Sequence, residues 1–221
     1  MSRTDTDALI DRLVVDAAPV TVVAPVWRRV ALWLALAVPP LVVIIAVHGL
    51  VLAPAALVAD RLILAEQAAA LVTAIAAAAA AFASTIPGLD RRWRWLPAIP
   101  LAVWLALIGK GCFDEWVRLG PEGLVITPDF TCFVPMMLMA TVPAASMLVM
   151  LRRGAPLAPR ATLLLGALAT AALVAFGLRF FHAGDATISI LVWHMGFVAL
   201  FVAATSLAGR RALRWPTGVA G

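Results

Sequence analysis

Two cysteines are the side chains of this chain best suited to redox or metal chemistry. Cys112 and Cys132 are its two cysteines, and the longest hydrophilic connection of the chain lies between them. Thiolates bind thiophilic metals and are oxidised reversibly, and two cysteines form a disulfide when their Cα atoms lie within about 7 Å. The sequence leaves three interpretations open: a disulfide, a reduced pair that responds to metal or oxidant, and two unrelated apolar cysteines.

Two histidines are predicted on the same side of the molecule as the cysteines. His48 and His182 lie near the ends of apolar segments, and together with the thiols they are the ligand types of a zinc or copper site. No spacing in the sequence brings the four side chains together, and a histidine at a membrane surface is usually solvated. A metal site therefore stays one hypothesis beside an ordinary solvated role.

Motifs of enzymes are absent from the sequence. There is no phosphate-binding loop, no His-Glu-x-x-His and no Gly-x-Ser-x-Gly. Glu66 is placed within an apolar segment and could pair with Arg179 or Arg61, but no series of charged groups runs through these segments. We expect neither catalytic residues nor a cofactor.

The elements that must position these side chains are apolar helices of membrane length. Hydrophobic residues make up 64% of the 221 residues and charged residues 13%, whereas a soluble domain has about half and about a quarter. Each apolar segment is close to the ~20 residues that cross a bilayer. The predicted fold class is an all-α membrane protein with six transmembrane helices, at residues 30–52, 62–84, 95–111, 131–151, 161–181 and 187–208.

Basic residues alternate between the connections and predict the orientation. Most of the 17 basic residues lie in the N-terminal segment, the second and fourth connections and the C-terminal segment. Because basic flanking residues stay in the cytoplasm, both termini are predicted to be cytoplasmic. Membrane orientation and anionic lipid explain the pI of about 10.9 better than nucleic acid does. The one-sided residues are Arg3, Arg12, Arg28, Arg29, Arg91, Arg92, Arg94, Arg152, Arg153, Arg160, Arg210, Arg211 and Arg214.

The first residues predict a short amphipathic helix in the cytoplasm. Leu9, Ile10, Leu13 and Val14 share one face at helical spacing. The stretch is acidic and so unlike a signal peptide, and the first span is therefore expected to be retained. A helix of about three turns is unstable alone in water and needs a partner surface. It could rest on the bilayer, but its aspartates favour a basic groove of a protein.

Motifs along nearly the whole chain resemble the NrsF (negative regulator of sigma F) family of bacterial inner-membrane anti-sigma factors. The N-terminal signature is Leu9-Ile10-Asp11-Arg12-Leu13 with Asp16-Ala17-Ala18-Pro19-Val20, followed by Pro25 and Arg28-Arg29. Further matches are Cys132 at the start of span four, Arg152-Arg153-Gly154-Ala155-Pro156 after it, Trp193 in span six and Arg214-Trp215.

The resemblance implies that the cytoplasmic segment sequesters an extracytoplasmic-function sigma factor, which an envelope stimulus such as heavy metal or oxidant releases. It implies partner-binding roles for the six residues Leu9, Ile10, Asp11, Arg12, Leu13 and Asp16, and sensing roles for Cys132 and His182. Cys112, at the outer end of span three, is a further sensing candidate by its position and not by the resemblance. The family pattern has a second cysteine after the histidine near the end of span five, where this chain has Ala183. The implied organisation is a sigma-binding segment 1–29, a transmembrane domain 30–208 and a cytoplasmic tail 209–221.

Two other functions fit parts of the pattern. Six spans with internal prolines would also suit a small transporter or channel, although the two halves show no convincing repeat. Cys112 and Cys132 would suit a membrane thiol redox protein. The number of copies in an assembly does not follow from the sequence.

Overall fold

Six α-helices make up most of the part of the chain that the computed structural model describes, residues 3–15, 23–49, 59–120, 133–154 and 158–180 together with 196 and 200. No strand occurs within these ranges. A 3-10 helix, Arg91–Trp95, lies between the third and fourth α-helices. The α-helices are α1 Arg3–Val15, α2 Val26–His48, α3 Arg61–Ala83, α4 Ala98–Leu119, α5 Phe133–Arg152 and α6 Pro159–Leu178.

Five of these helices, α2 to α6, are long and apolar enough to cross a membrane. The all-helical class predicted from composition is therefore confirmed for the described residues. The predicted sixth span, 187–208, lies outside them except at two positions.

The bounds of two helices differ from those predicted. α2 begins at Val26 rather than at residue 30, so its first turn includes both arginines that were assigned to the preceding segment. α4 continues to Leu119, whereas the predicted span ended at residue 111. Charged side chains stabilise its last turns, because Lys110 pairs with Asp114 and Arg118 with Glu115 along the helix.

The core of the bundle is built from small side chains where α3 packs along α6, the most extensive helix contact in the described residues. Ala77 and Ala81 of α3 and Ala169 and Ala172 of α6 are fully buried. Small residues let helix backbones approach closely, which is how helices associate when lipid removes the hydrophobic driving force. The alanine run of α3 is thus a packing surface.

A buried tryptophan links α2 to α5 by a hydrogen bond. The Trp33 indole is fully buried, and its Nε1 donates a hydrogen bond to the Pro143 carbonyl oxygen at 3.0 Å. An indole N–H in an apolar environment needs an acceptor, so this bond fixes the relative position of the two helices.

Successive helices of the bundle run in opposite directions, which gathers arginines at one end. We call this the arginine-rich end: α2 begins there, α3 and α5 end there, and α6 begins there. At the opposite end, the close approach of Gly177 to Leu41 and Met139 joins α6, α2 and α5. The arginine-rich end carries Arg28, Arg29, Arg91, Arg92, Arg94, Arg152, Arg153 and Arg160.

Candidate functional site

The apolar stripe predicted on the N-terminal helix is present on α1 and is exposed. Leu9, Ile10, Leu13 and Val14 are 50%, 51%, 63% and 67% exposed, respectively. The substantial helix contacts among the described residues involve α2 to α6 and not α1. Four large apolar side chains on one face of a short helix form a surface that a partner can bury.

The other face of α1 is polar and mainly acidic. Asp7, Asp11 and Arg12 are exposed, and successive positions of a helix are 100° apart, so these side chains project away from the centre of the stripe. A partner that covers the stripe therefore contacts aspartates at the edge of the stripe. Asp16, the sixth predicted partner-binding residue, lies outside the described part of the chain.

The N-terminal segment joins the bundle at a proline. Residues 23–25 are not helical, and the Pro25 carbonyl oxygen accepts hydrogen bonds from the backbone N–H groups of Arg28 and Arg29 at 3.1 and 3.3 Å. Proline just before a helix fixes the direction in which the chain enters it. The first turn of α2 therefore connects the N-terminal segment to the arginine-rich end.

Arg29 holds the ends of three helices together at this junction. Its side chain is buried, with Nη1 donating to the Phe82 carbonyl oxygen at 3.2 Å and to the Thr85 Oγ1 at 2.8 Å, and Nη2 donating to the Met150 carbonyl oxygen at 2.9 Å. The two carbonyls belong to the last turns of α3 and α5, where oxygens lack partners within the helix and the helix dipole is negative. We call these contacts the Arg29 clamp.

Close packing shapes the Arg29 clamp. The guanidinium lies 4.5 Å from the centroid of the Phe82 ring, within cation–π range. A Cβ on Gly154 would lie 2.5 Å from the Thr85 Cβ, so only glycine fits this position beside the clamp. The neighbouring Arg28 is exposed and lies over the Trp27 ring at 5.1 Å.

Sequence reasoning had assigned Arg28 and Arg29 one common role, membrane orientation. The structure separates them, because Arg29 faces the bundle and Arg28 faces outward. Had α2 been predicted to begin at Val26, the helical spacing of Arg29 with the buried Trp33 would have indicated the difference.

At the opposite end, the structure describes only part of the predicted sensing site. Cys112 is half-buried on α4, well before the end of the helix at Leu119, rather than at the helix end as predicted. Glu66 of α3 is close enough to both Arg179 and Cys112 for their charges to interact, and its pairing with Arg179 or Arg61 stays a prediction. Cys132 and His182 lie outside the described residues, and so does any bond between the two cysteines.

His48 is the last residue of α2 and is exposed, with Nδ1 2.9 Å from the Ile44 carbonyl oxygen of its own helix. Within the described ranges, no three histidine, cysteine, aspartate or glutamate side chains are close enough to hold a metal ion. Within the described residues, His48, Cys112 and Glu66 therefore do not form a site for a metal ion.

Comparison with known proteins identifies the family. Neither the curated proteins nor the solved structures compared gave a match to the chain. A family model described as "Negative regulator of sigma F" matches residues 13–215, which is nearly the whole chain and includes α2 to α6. The match begins within α1, at Leu13, so it includes Leu13 and Val14 of the exposed stripe, while Leu9 and Ile10 precede it. The chain belongs to the NrsF family, the negative regulators of sigma F.

Proposed function

We propose that this protein is an anti-sigma factor of the bacterial inner membrane that sequesters an extracytoplasmic-function sigma factor through α1. The observation that carries the proposal is the exposed apolar stripe of α1 in a chain of a sigma-regulator family. A soluble sigma factor held at the membrane is unavailable to RNA polymerase. The protein therefore regulates transcription by binding a protein, without catalysis and without touching nucleic acid.

The chemistry of α1 defines the surface that it binds. Leu9 and Leu13 are one turn apart, and Ile10 and Val14 lie beside them, which is the spacing of a helix that lies in an apolar groove. Asp11 and Asp16 would meet basic groups at the rim of the groove, and Arg12 would meet an acidic one. A basic, apolar groove is a surface that a DNA-binding protein such as a sigma factor can offer.

The arginines support a cytoplasmic position for α1. Eight of them are at the same end of the bundle as the attachment of the N-terminal segment. Basic residues are retained on the cytoplasmic side, so the arginine-rich end faces the cytoplasm and the opposite end faces the envelope. With the predicted sixth span, 187–208, both chain termini are cytoplasmic, and membrane lipid surrounds the spans.

Deletion of residues 2–24 tests the proposed function in cells. We expect transcription from a promoter that depends on the sigma factor to rise to the level of a strain without this protein, because the bundle alone cannot hold the partner. The measurement is reporter activity, normalised to the amount of each variant in the membrane. Full repression by the deleted protein at equal abundance would exclude α1 as the binding element and favour a role such as transport for the bundle.

The envelope end would receive the stimulus, which we propose to be a thiophilic metal or an oxidant acting on Cys132, with Cys112 and His182 beside it. Cys132→Ser is expected to reduce induction by the stimulus several-fold while leaving basal repression intact, because a hydroxyl neither binds thiophilic metals nor forms disulfides. Reporter induction over a range of metal or oxidant concentrations measures the effect. Undiminished induction would show that Cys132 is not the trigger, and Cys112→Ser serves as the parallel variant.

A further inference from the structure

A second exposed surface at the arginine-rich end has a charge opposite to that of α1. The 3-10 helix Arg91–Trp95, which we call the Arg–Trp turn, joins α3 to α4. The Arg92 side chain is 92% exposed, and Trp95 is 76% exposed. The sigma-factor binding proposed above is assigned to α1 and does not involve this turn.

The Arg–Trp turn is ordered by its own backbone and keeps a positive charge. The Asp90 side chain caps it, with Oδ1 accepting from the Arg92 backbone N–H at 2.9 Å. Asp90 is the one carboxylate in the connection 84–97 against three arginines, and its approach to the Arg92 Nε is loose, at 3.8 Å between exposed groups. The arginines are therefore not neutralised within the connection.

A second exposed pair of tryptophan and arginine, Trp27 and Arg28, lies at the start of α2 and close to the Arg–Trp turn. The Arg29 clamp contacts Phe82 at the end of α3 and Thr85 at the start of the connection that holds the turn, so Trp27 and Arg28 lie at the same level of the bundle as the turn. Trp27 is 66% exposed, with the Arg28 guanidinium over its ring. Exposed indoles between arginines, at the ends of membrane-length helices, match the depth of lipid headgroups.

We propose that the Arg–Trp turn binds the headgroup of an anionic phospholipid. A guanidinium donates two parallel hydrogen bonds to phosphate oxygens, and an indole ring suits the glycerol region below the phosphate. Arg91 and Arg92 bind the phosphate, and Trp93 and Trp95 lie in the glycerol region between the phosphate and the acyl chains. The sign of the charge separates the two surfaces: α1 is acidic and binds a basic protein, and the turn is basic and binds lipid.

The test titrates phosphatidylglycerol, and phosphatidylcholine in parallel, into the full-length protein in a neutral detergent and counts bound lipids by native mass spectrometry. A neutral micelle removes the general attraction of an anionic leaflet, so only direct contacts retain lipid. Arg91→Gln with Arg92→Gln is expected to lower the bound phosphatidylglycerol about tenfold or more, since the change removes two sets of charge-assisted hydrogen bonds from guanidinium to phosphate.

The matched control is Arg152→Gln with Arg153→Gln, which removes the same charge from exposed arginines of the same end that have no tryptophan adjacent in the sequence. We expect it to change binding less than about twofold, and Arg91→Lys with Arg92→Lys to fall between the two because lysine keeps the charge but not the paired hydrogen bonds. An equal loss in the two glutamine variants, or equal retention of phosphatidylcholine and phosphatidylglycerol by the wild type, would overturn the proposal. Unchanged thermal unfolding of each variant without added lipid shows that the fold is intact. None of these outcomes depends on a sigma factor.

Discussion

Replacement of Leu9 and Leu13 by aspartate is expected to weaken binding of the sigma factor by at least about 100-fold. Both side chains are at least half exposed in the structure, so the change costs the protein alone little. Burial of a leucine contributes about 1.5–3 kcal/mol, and two such losses correspond to about two or more factors of ten in affinity. The added carboxylates would also be buried in an apolar groove without partners.

Ala8→Asp is the matched control for this prediction. Ala8 is exposed on the polar face of α1, between Asp11 and Arg12 in projection, so the same new charge leaves the stripe intact. Binding of purified sigma factor to the full-length protein in nanodiscs provides the comparison. If Ala8→Asp weakens binding as much as Leu9→Asp with Leu13→Asp does, charge on α1 rather than the apolar stripe determines the interaction. If neither variant weakens it, α1 is not the binding surface.

Replacement of Arg29 by alanine is expected to lower the free energy of unfolding of the bundle by about 3 kcal/mol. A hydrogen bond to a charged group contributes about 1.5–3 kcal/mol, and the change removes the donors that join Phe82, Thr85 and Met150. Water that enters at the end of the helices will donate hydrogen bonds to some of the vacated oxygens and so offset part of this lost free energy. Unfolding of the detergent-solubilised protein by a denaturing detergent, followed by tryptophan fluorescence, measures it.

Arg28→Ala is the control for the clamp, because Arg28 carries the same charge one residue earlier and lies over an exposed ring. An exposed cation–π contact contributes about 0.5–1 kcal/mol, so its loss has a small effect. Equal destabilisation by the two variants would mean that charge at the start of α2 matters and the buried contacts do not.

Gly154→Ala tests the same clamp through Thr85, which accepts a hydrogen bond from Arg29. The new methyl group would lie 2.5 Å from the Thr85 Cβ, and Thr85 would have to move away from Arg29. Overpacking of this kind costs about 1–3 kcal/mol. Gly109→Ala in α4 adds the same methyl group to open space and removes a helical glycine, so it is expected to leave stability unchanged or raise it by up to about 1 kcal/mol.

The sequence predicted those parts of the molecule that depend on local pattern. Apolar length predicted the membrane helices, and the spacing of Leu9 and Leu13 predicted the stripe on α1, because each depends on one helix and its surroundings. The alternation of arginine predicted that the helix ends segregate by charge. These features needed no knowledge of which helix touches which.

The features that sequence reasoning missed depend on contacts between distant segments. Nothing local distinguishes Arg28 from Arg29, whose partner Met150 is 121 residues away in the chain. The end of α4 was misplaced because the predicted span ended at residue 111, whereas helical spacing pairs Lys110 with Asp114 and Glu115 with Arg118 along a helix that continues. Cys112 consequently lies within that helix rather than at its end.

The chain enters the bundle at the contact of three helices. Pro25 directly precedes α2, and four residues later Arg29 bonds to the ends of α3 and α5. A displacement of α3 or α5 would disturb the contacts of Arg29 at the start of α2. The Arg29 clamp therefore lies where the chain that follows the N-terminal segment enters the bundle.

Sequestration of the sigma factor by α1 is tested most directly by a pull-down from membranes that compares the intact protein with residues 25–221. Both forms keep α2 to α6 and the Arg29 clamp, so they differ in the segment that contains α1. The account predicts that the intact protein retains the sigma factor and that the shortened protein, at equal abundance, retains none above background. Equal recovery of the sigma factor with both forms would contradict it.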